Sequence, residues 1–369
     1  MQEEFYRIKR LPPYVFAEVN RLKAEYRRNG VDIIDFGMGN PDMDTPDHIV
    51  AKLIETVKKP RTHRYSASKG ITGLRNAQAT YYKNRFGVKL DPETEIIATL
   101  GSKEGLANLA MAITGPGDVM MVPNPSYPIH PYGFMIAGGT LRHIATLHDG
   151  VFNPEEYMRS LSRAVLHSVP KPVALVISFP SNPTAQVCDL DFYKELIMFA
   201  KNKGIWILSD LAYAEIYFEN NPPPSILEVA GAKDIAVEFT SLSKTFSMPG
   251  WRIGFAVGNK RLIDALTRIK SYLDYGAFTP IQVAATAALN GNLDCVNEIR
   301  QIYKTRRDTL IKSMKRSGWD IPSPPATMFA WAPLPKAFKN AGSMVFSKIL
   351  LQEASVAVSP GIGFGEYGE

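Results

Sequence analysis

One lysine lies among small hydroxyl side chains in residues 241–252, Ser-Leu-Ser-Lys-Thr-Phe-Ser-Met-Pro-Gly-Trp-Arg. This stretch follows an apolar run, 235–239, that is predicted to form a buried strand. The amine of Lys244 could form a Schiff base with an aldehyde, while the hydroxyl groups and Arg252 could hold a phosphate dianion. The residue types suit a cofactor that carries both groups. They are equally compatible with a polar loop and a solvated lysine.

Four other apolar runs are each followed by a residue that could contact a ligand. Ligands of open α/β sheets bind beyond the carboxyl ends of the strands, so these side chains and Lys244 could meet at one edge. Five such strand ends favour one shared ligand over five coincidences. The four residues, each with the run that it follows, are Ser102 (96–100), Tyr127 (119–122), Asn182 (173–179) and Asp210 (204–208).

Each of these four residues also has an ordinary structural interpretation. Ser102 opens a predicted helix, where free N–H groups bind anions, but it could simply cap that helix. Tyr127, in a proline-rich loop, could stack on a planar ring or pack in the core. Asn182 could bind a ligand or form a turn. Asp210 follows a strongly apolar run, so its carboxylate needs a partner such as a protonated ring nitrogen, unless it caps the next segment.

Short β-rich runs alternate with helical segments from residue 95 onwards. This alternation predicts an α/β fold with a doubly wound, mixed but mostly parallel sheet, followed by a smaller α/β unit. The strands lack polar–apolar alternation, as expected when helices cover both faces. The predicted strands are 31–36, 96–100, 119–122, 173–179, 205–208, 235–239, 253–257, 328–332 and 356–358, and the predicted helices are 15–28, 46–58, 70–86, 102–113, 129–137, 154–166 and 190–203, with further helical patterns over 260–317.

Composition excludes several classes of protein. The 369 residues are 45% hydrophobic and 21% charged, with a net charge of +6, and the basic residues are mixed with acids rather than clustered as in a nucleic-acid site. The only cysteines, Cys188 and Cys295, form neither a CxxC motif nor a disulfide framework, so we expect a reducing compartment and no metal site. No apolar run approaches a membrane span, and the N-terminus does not resemble a signal peptide. A cytoplasmic protein is expected.

The assembled residues resemble the class I aminotransferases, the fold-type-I enzymes that use pyridoxal 5′-phosphate. In that family an asparagine, an aspartate three residues before a tyrosine, and a lysine followed by an arginine recur in this order. Here they are Asn182, Asp210, Tyr213, Lys244 and Arg252, and the resemblance extends over nearly the whole chain. Within the family, residues 11–16 and 274–280 are similar to the bacterial alanine (glutamate–pyruvate) aminotransferases, which are close to aspartate and LL-diaminopimelate aminotransferases.

The resemblance implies a role for each candidate residue. Lys244 would form the Schiff base and then move the α-proton, and Asp210 would keep the ring nitrogen of the cofactor protonated. The family would be homodimeric, with active sites shared between subunits and with amino acids and 2-oxo acids as substrates. The implied cofactor contacts are Ser102, Lys103, Ser241, Ser243, Arg252 and the partner-reaching Tyr65 for the phosphate, Tyr127 for the ring face, and Asn182 and Tyr213 for the 3′-oxygen; the implied substrate contacts are Gly39, Asn182 and Tyr14.

The resemblance also implies a domain division and one departure. We expect an N-terminal arm with part of the small domain over 1–45, a large cofactor-binding domain over 46–275, and a small domain over 276–369 that is incomplete at its C-terminal end. In the family an arginine soon after the glycine-rich loop 361–365 grips the substrate's α-carboxylate. The printed sequence ends at Glu369, before that position. Weak substrate binding is expected if the protein itself ends there.

Other functions account for the same residues less well. Ser241-x-x-Lys244 matches the first β-lactamase motif, but the Ser-Asp-Asn and Lys-Thr-Gly partners do not occur. The glycines of 361–368 are not followed by the helix that a dinucleotide loop needs. A carbon–sulfur β-lyase or a non-catalytic regulator that binds pyridoxal phosphate would use the same cofactor contacts. For the substrate, the absence of arginine from 272–280 favours alanine and pyruvate with glutamate and 2-oxoglutarate.

Overall fold

The computed structural model describes residues 5–12, 16–37 and 39–369, and for Phe16 the backbone only. Within these residues the main elements are nine strands and thirteen α-helices. The strands are β1 (Ile34–Asp35), β2 (Ile96–Thr99), β3 (Val119–Asn124), β4 (Thr140–Ala145), β5 (Ala174–Ser178), β6 (Trp206–Asp210), β7 (Ala236–Ser241), β8 (Gly254–Gly258) and β9 (Val356–Ala357). The helices are α1 (Tyr6–Lys9), α2 (Phe16–Arg28), α3 (Asp47–Val57), α4 (Thr72–Phe86), α5 (Ser102–Ile113), α6 (Ile129–Ala137), α7 (Pro154–Leu166), α8 (Leu190–Lys203), α9 (Leu242–Thr245), α10 (Lys260–Leu273), α11 (Thr279–Asn290), α12 (Asp294–Arg316) and α13 (Ser343–Ala354).

Seven strands form the main sheet in the order β2-β8-β7-β6-β5-β3-β4. Neighbouring strands are parallel except at β8, which runs antiparallel to both β2 and β7. Every residue of β2, β3, β5, β7 and β8 is buried, because helices pack on both faces of the sheet. The doubly wound, mixed and mostly parallel sheet predicted from the sequence is therefore confirmed.

Successive residues of the central strands contribute to two separate cores. Leu175 of β5 belongs to the cluster that contains Phe192 of α8, whereas its neighbour Val176 belongs to the cluster that contains Leu106 of α5. This separation follows from the two-residue period of a strand, which directs alternate side chains to opposite faces. Both faces are therefore apolar, and the polar groups collect at the strand ends.

Helix ends were the most predictable local features. Helices α5, α6, α7 and α8 span the residues predicted for them. For α8, the side chain of Asp189 accepts a hydrogen bond from the Phe192 N–H at 2.9 Å, and Gly204 ends the helix in the left-handed region at φ +61°. No helix among the described residues has both the length and the apolar character needed to cross a membrane.

Two predictions of strands were wrong. The edge strand β4 was not predicted, because an edge position leaves several of its residues exposed and its sequence, Thr-Leu-Arg-His-Ile-Ala, is correspondingly polar. Residues 328–332 form no strand. The backbone just before them instead binds the segment after β6: the Thr327 N–H donates to the Ile216 carbonyl, and Thr327 adopts a left-handed φ of 69°.

The two ends of the chain meet in a small second sheet. Strand β1 pairs in parallel with β9, with Ile34 opposite Val356. Strands were predicted in both places, over 31–36 and 356–358, but only two residues of each are paired within the described part of the chain. The longest helix, α12, precedes this second sheet along the chain.

Candidate active site

The reversed strand β8 brings two distant strand ends together. Gly254, the first residue of β8, is paired with Thr99 of β2 on one side and with Ser241 of β7 on the other. The residues that follow β2 and β7 therefore leave the sheet side by side. Ser102 and the Lys244 segment become neighbours although more than 130 residues separate them along the chain.

Glycine allows the guanidinium of Arg252 to lie against the start of α5. A Cβ atom on Gly101 would lie 2.4 Å from Nη2 of Arg252, and Gly101 has a left-handed φ of +87°. Arg252 is also left-handed, at φ 53°, and its Nη2 donates to the Leu100 carbonyl at 3.1 Å. A cation thus lies beside the first turn of a twelve-residue helix whose N–H groups favour an anion.

Arg252 and the first turn of α5 together form a site that we call the phosphate cradle. The serines around it differ in what they do. Gly101, not Ser102, occupies the N-cap of α5, and no side chain among the described residues caps that helix, so the simple capping interpretation of Ser102 is wrong. The hydroxyl of Ser241 accepts the Ser243 N–H at 3.2 Å and caps the short helix α9. Both serines of that turn are buried. Lys103 places its ammonium 5.7 Å from the centre of the Tyr127 ring.

Lys244 is half-buried at the end of β7, in the helical turn α9. Burial, followed by the nearby positive charge of Arg252, lowers the pKa of its amine to about 8, while Asp210 acts in the opposite direction. The Lys244 nitrogen lies 5.9 Å from the centre of the Tyr213 ring. A lysine with this pKa is partly neutral near pH 7 to 8, as a nucleophile or a base must be.

Asp210 is buried and has two partners. Its Oδ2 lies 2.9 Å from Nε2 of His130, and its Oδ1 accepts the Ala212 N–H at 3.2 Å. One oxygen therefore makes a local turn, as in the capping interpretation, and the other contacts a distant side chain; pairing with a ligand's ring nitrogen stays a prediction. His130 is completely buried in α6 and was not predicted from the sequence, although it is the only imidazole in that apolar helix.

Tyr213 follows β6 and faces Asn182, which follows β5. The Asn182 amide donates to the Tyr213 hydroxyl at 3.4 Å. Burial, reinforced by the charge of Asp210, raises the pKa of Tyr213 well above its ordinary value, so its hydroxyl stays a neutral donor. The ring of Phe329 packs edge-on against Tyr213 at a centroid distance of 5.3 Å.

The remaining predicted contacts lie at the rim. Gly39 is exposed, and a Cβ atom there would lie 2.2 Å from the Phe329 ring, so only glycine fits beside that ring. Tyr65 is 86% exposed, and its ring packs against that of Tyr275 at a centroid distance of 4.7 Å. Tyr14, the third predicted substrate contact, lies outside the described residues.

These groups fit the parts of pyridoxal phosphate. A guanidinium and a helix N-terminus suit its phosphate, a lysine of lowered pKa suits its aldehyde, and a buried carboxylate suits a protonated ring nitrogen. The space that Gly101 leaves beside Arg252 is the clearest structural sign of the fit, because any side chain there would displace the guanidinium.

The family comparison agrees with this chemistry. Residues 31–368 match the family model described as aminotransferase class I and II. The chain belongs to this family. Its sheet is that of a fold-type-I aminotransferase, an enzyme that uses pyridoxal 5′-phosphate as its cofactor.

Alignments with named relatives cover the whole of this chain and most of each relative. The Rhizobium meliloti (strain 1021) protein AatC is 65% identical over 100% of this chain and 89% of its own length. Glutamate-pyruvate aminotransferase AlaC of Escherichia coli (strain K12) is 52% identical over 100% of this chain and 88% of its own. LL-diaminopimelate aminotransferase of Moorella thermoacetica is 39% identical over 100% and 92%. Among solved structures, substrate-bound BacF of Bacillus subtilis matches with a TM-score of 0.90 and 34% identity, covering 100% of this chain and 92% of that one.

Proposed function

We propose that this aminotransferase exchanges amino groups between alanine and 2-oxoglutarate, and between glutamate and pyruvate, by a ping-pong mechanism. The observation that carries the proposal is the 52% identity over the whole chain to a glutamate-pyruvate aminotransferase. Residues 272–280 support it, because they contain tyrosines and a phenylalanine but no arginine that could receive a second carboxylate. Aspartate or LL-diaminopimelate is the alternative substrate, since a relative at 39% identity is named for the latter.

We assign the chemistry to a few residues at the sheet edge. When bound, pyridoxal phosphate supplies an electron-accepting ring for amino-group transfer. Lys244 would bind the aldehyde of the cofactor and, once the substrate amine has displaced it, would hold the substrate's α-proton on Nζ. Asp210 keeps the ring nitrogen protonated, and Asn182 with Tyr213 donates to the ring hydroxyl oxygen. Ser102, Lys103, Ser241, Ser243 and Arg252 bind the phosphate, Tyr127 covers the ring face, and Gly39 presents backbone to the substrate.

We further propose that the enzyme is a cytoplasmic homodimer with shared active sites. Tyr65 packs on Tyr275, and Tyr272 and Phe278 flank Tyr275 in the sequence. Their exposures are 86%, 63%, 84% and 42%, in that order, which is unusual for large aromatic side chains unless a partner covers them. We name these four residues the aromatic patch. In this arrangement, Tyr65 contacts the phosphate bound in the other subunit.

The domain division expected from the resemblance remains part of the proposal. Residues 46–275 would form the large cofactor-binding domain, and residues 1–45 would contribute to the small domain together with 276–369. The pairing of β1 with β9 supports this division, because it joins the first and last parts of the chain in a separate sheet. Limited proteolysis followed by mass spectrometry would test it: cleavage should concentrate near the first boundary, because hydrogen bonds of Asp274 hold the second.

A half-reaction screen tests the substrate assignment. Each amino acid is added in turn to the cofactor-loaded protein, and the absorbance of the bound cofactor is followed. Alanine and glutamate should change the spectrum fastest and should yield pyruvate and 2-oxoglutarate. A faster reaction with aspartate or LL-diaminopimelate would replace the alanine assignment with the alternative.

Substituting Lys244→Ala tests the assignment of the central residue. The variant should lose the absorbance of lysine-bound cofactor and at least about 10⁴-fold of its transamination rate, because both the attacking amine and the proton carrier are removed. Lys194→Ala, at an exposed lysine of α8, is the matched control and should behave like the wild type. Retained turnover in Lys244→Ala would show that another residue carries the reaction.

A further inference from the structure

A completely buried lysine, Lys270, lies between two carboxylates far apart in the sequence. Its ammonium is 2.7 Å from Oε1 of Glu104 and 2.7 Å from Oδ2 of Asp274, and its side chain has no exposed surface. Burying a charge is costly, and an apolar replacement for a buried ion pair is often as stable. Stability alone therefore does not account for this buried cation.

The contact with Glu104 reaches the phosphate cradle. Glu104 lies in the first turn of α5, two residues after Ser102, and its Oε2 accepts the Leu100 N–H at 2.8 Å. The carbonyl of the same Leu100 accepts the Arg252 guanidinium. Glu104 thus restrains the Leu100 peptide, which directly precedes the start of α5 and also contacts Arg252. Its negative charge would repel a phosphate at this helix start, and the ammonium of Lys270 offsets that charge.

The contact with Asp274 reaches the aromatic patch. Oδ1 of Asp274 accepts the Gly276 N–H at 2.6 Å, and the Asp274 carbonyl accepts the hydroxyl of Ser68 at 2.5 Å. Gly276 lies so close to residue 67 that a Cβ atom on it would be 2.4 Å from the Ala67 carbonyl oxygen. Asp274 therefore fastens the Tyr275 segment to the loop that presents Tyr65.

We propose that Lys270 couples cofactor binding to subunit association. The proposal rests on the homodimer proposed above, with the aromatic patch as the surface that meets the second copy. A phosphate bound at the α5 start restrains the turn that holds Glu104, and the ammonium transmits this restraint to Asp274 and the patch. Coupling between two binding events is reciprocal, so association of the subunits raises cofactor affinity by the same factor.

Sedimentation velocity over a range of protein concentrations measures the coupling. The dimer dissociation constant is determined with and without pyridoxal phosphate for the wild type and for Lys270→Met. The wild-type constant should fall by a factor of about 5 to 150 when the cofactor binds, the usual range for coupled sites. In Lys270→Met this factor should approach one. A purely structural loss would weaken both dimers and leave the factor unchanged.

Two further variants protect the test against misfolding. Asp274→Asn keeps the Oδ1 acceptor for Gly276 and the Lys270–Glu104 pair, but it removes the charge that Lys270 contacts. It should bind the cofactor as monomer nearly as well as the wild type and should lose the coupling. Lys194→Met makes the same change as Lys270→Met in an exposed pair with Asp191 and should retain the full factor.

Clear outcomes would overturn the proposal. A wild-type dimer whose dissociation constant does not respond to pyridoxal phosphate contradicts it. A folded Lys270→Met or Asp274→Asn variant whose factor stays within twofold of the wild type also contradicts it. The half-reaction screen on the wild type judges the proposed function separately, because a protein can transaminate without this coupling.

Discussion

Two buried carboxyl groups on neighbouring strands have opposite surroundings. Asp210 ends β6, and Glu238 lies within β7; Ser209 is paired with Glu238 in the sheet, and Asp210 with the next residue, Phe239. Paired residues point to the same face, and successive residues point to opposite faces. Because Asp210 and Glu238 are offset by one position in this pairing, their side chains lie on opposite faces of the sheet. Asp210 faces α6 and the site, and Glu238 faces α4.

The partners on each face determine what the carboxyl group can do. Asp210 contacts an imidazole, His130, and lies close enough to Lys244 to influence the pKa of that lysine. Among the described residues, Glu238 is bound only by neutral donors: its Oε1 accepts the hydroxyls of Tyr82 and Ser225, at 2.9 and 2.5 Å, and its Oε2 accepts a third hydroxyl and a backbone N–H. Burial outweighs these donors and raises the pKa of Glu238 to about 7.

The comparison shows that burial alone does not assign a role. Each carboxyl group follows an apolar run and is hidden from solvent, so the local sequence does not separate them. One lies beside an imidazole and near the amine of Lys244, whereas a set of neutral hydroxyls makes the other a structural junction between β7, α4 and the segment around Ser225. The same substitution, carboxylate to amide, should then have different consequences at the two positions.

The largest effect is expected for Asp210→Asn. A neutral amide cannot hold the cofactor's ring nitrogen in its protonated form, so the transamination rate should fall by about 10²–10³-fold, the usual loss when one preorganised electrostatic partner is removed. Cofactor should remain bound, which its absorbance would show. Glu238→Gln is the matched control and should keep nearly the full rate. Similar losses in both variants would remove the proposed distinction.

A smaller effect is expected for His130→Phe. The phenyl ring preserves the packing of α6 but removes the partner of Asp210 Oδ2. Groups that orient a functional side chain typically contribute on the order of tenfold, and we expect a loss of that size in kcat. The pH titration of the bound cofactor's absorbance should shift as well. His167→Phe, at an exposed residue after α7, controls for the substitution, and an unshifted titration in His130→Phe would separate His130 from the reaction.

The smallest effect on catalysis, but a clear one on stability, is expected for Glu238→Gln. The folded-state pKa of about 7 exceeds the ordinary value of 4.5, so between these values the folded protein keeps a proton on Glu238 that the unfolded chain has lost. The stability of the protein therefore falls as the pH rises from 4.5 to about 7. The contribution is on the order of 3 kcal/mol in total. Glutamine does not titrate, so the variant should gain stability relative to the wild type as the pH rises from 4.5 to about 7.

Chemical denaturation at several pH values measures this difference. The difference in unfolding free energy between Glu238→Gln and the wild type should grow between pH 4.5 and about 7 and level off above that, because the other titrating groups cancel between the two proteins. A difference that is independent of pH would mean that Glu238 does not titrate in this range.

The sequence by itself determined the local features. The alternation of apolar runs with capped helices was sufficient to predict the doubly wound sheet, because helix ends and strand composition depend on neighbours along the chain. The order and spacing of Asn182, Asp210, Tyr213, Lys244 and Arg252 were sufficient to identify the aminotransferase family. These features need no knowledge of which distant residues meet.

Only the tertiary structure decided how these features are combined. The antiparallel insertion of β8 between β2 and β7 brings Gly101 against Arg252, and no local pattern specifies this strand order. The same holds for His130 beside Asp210 and for Lys270 between two carboxylates. The sequence of a helix does not reveal whether a charged side chain contacts water or a distant partner. The free energy of burying that side chain depends on the partner.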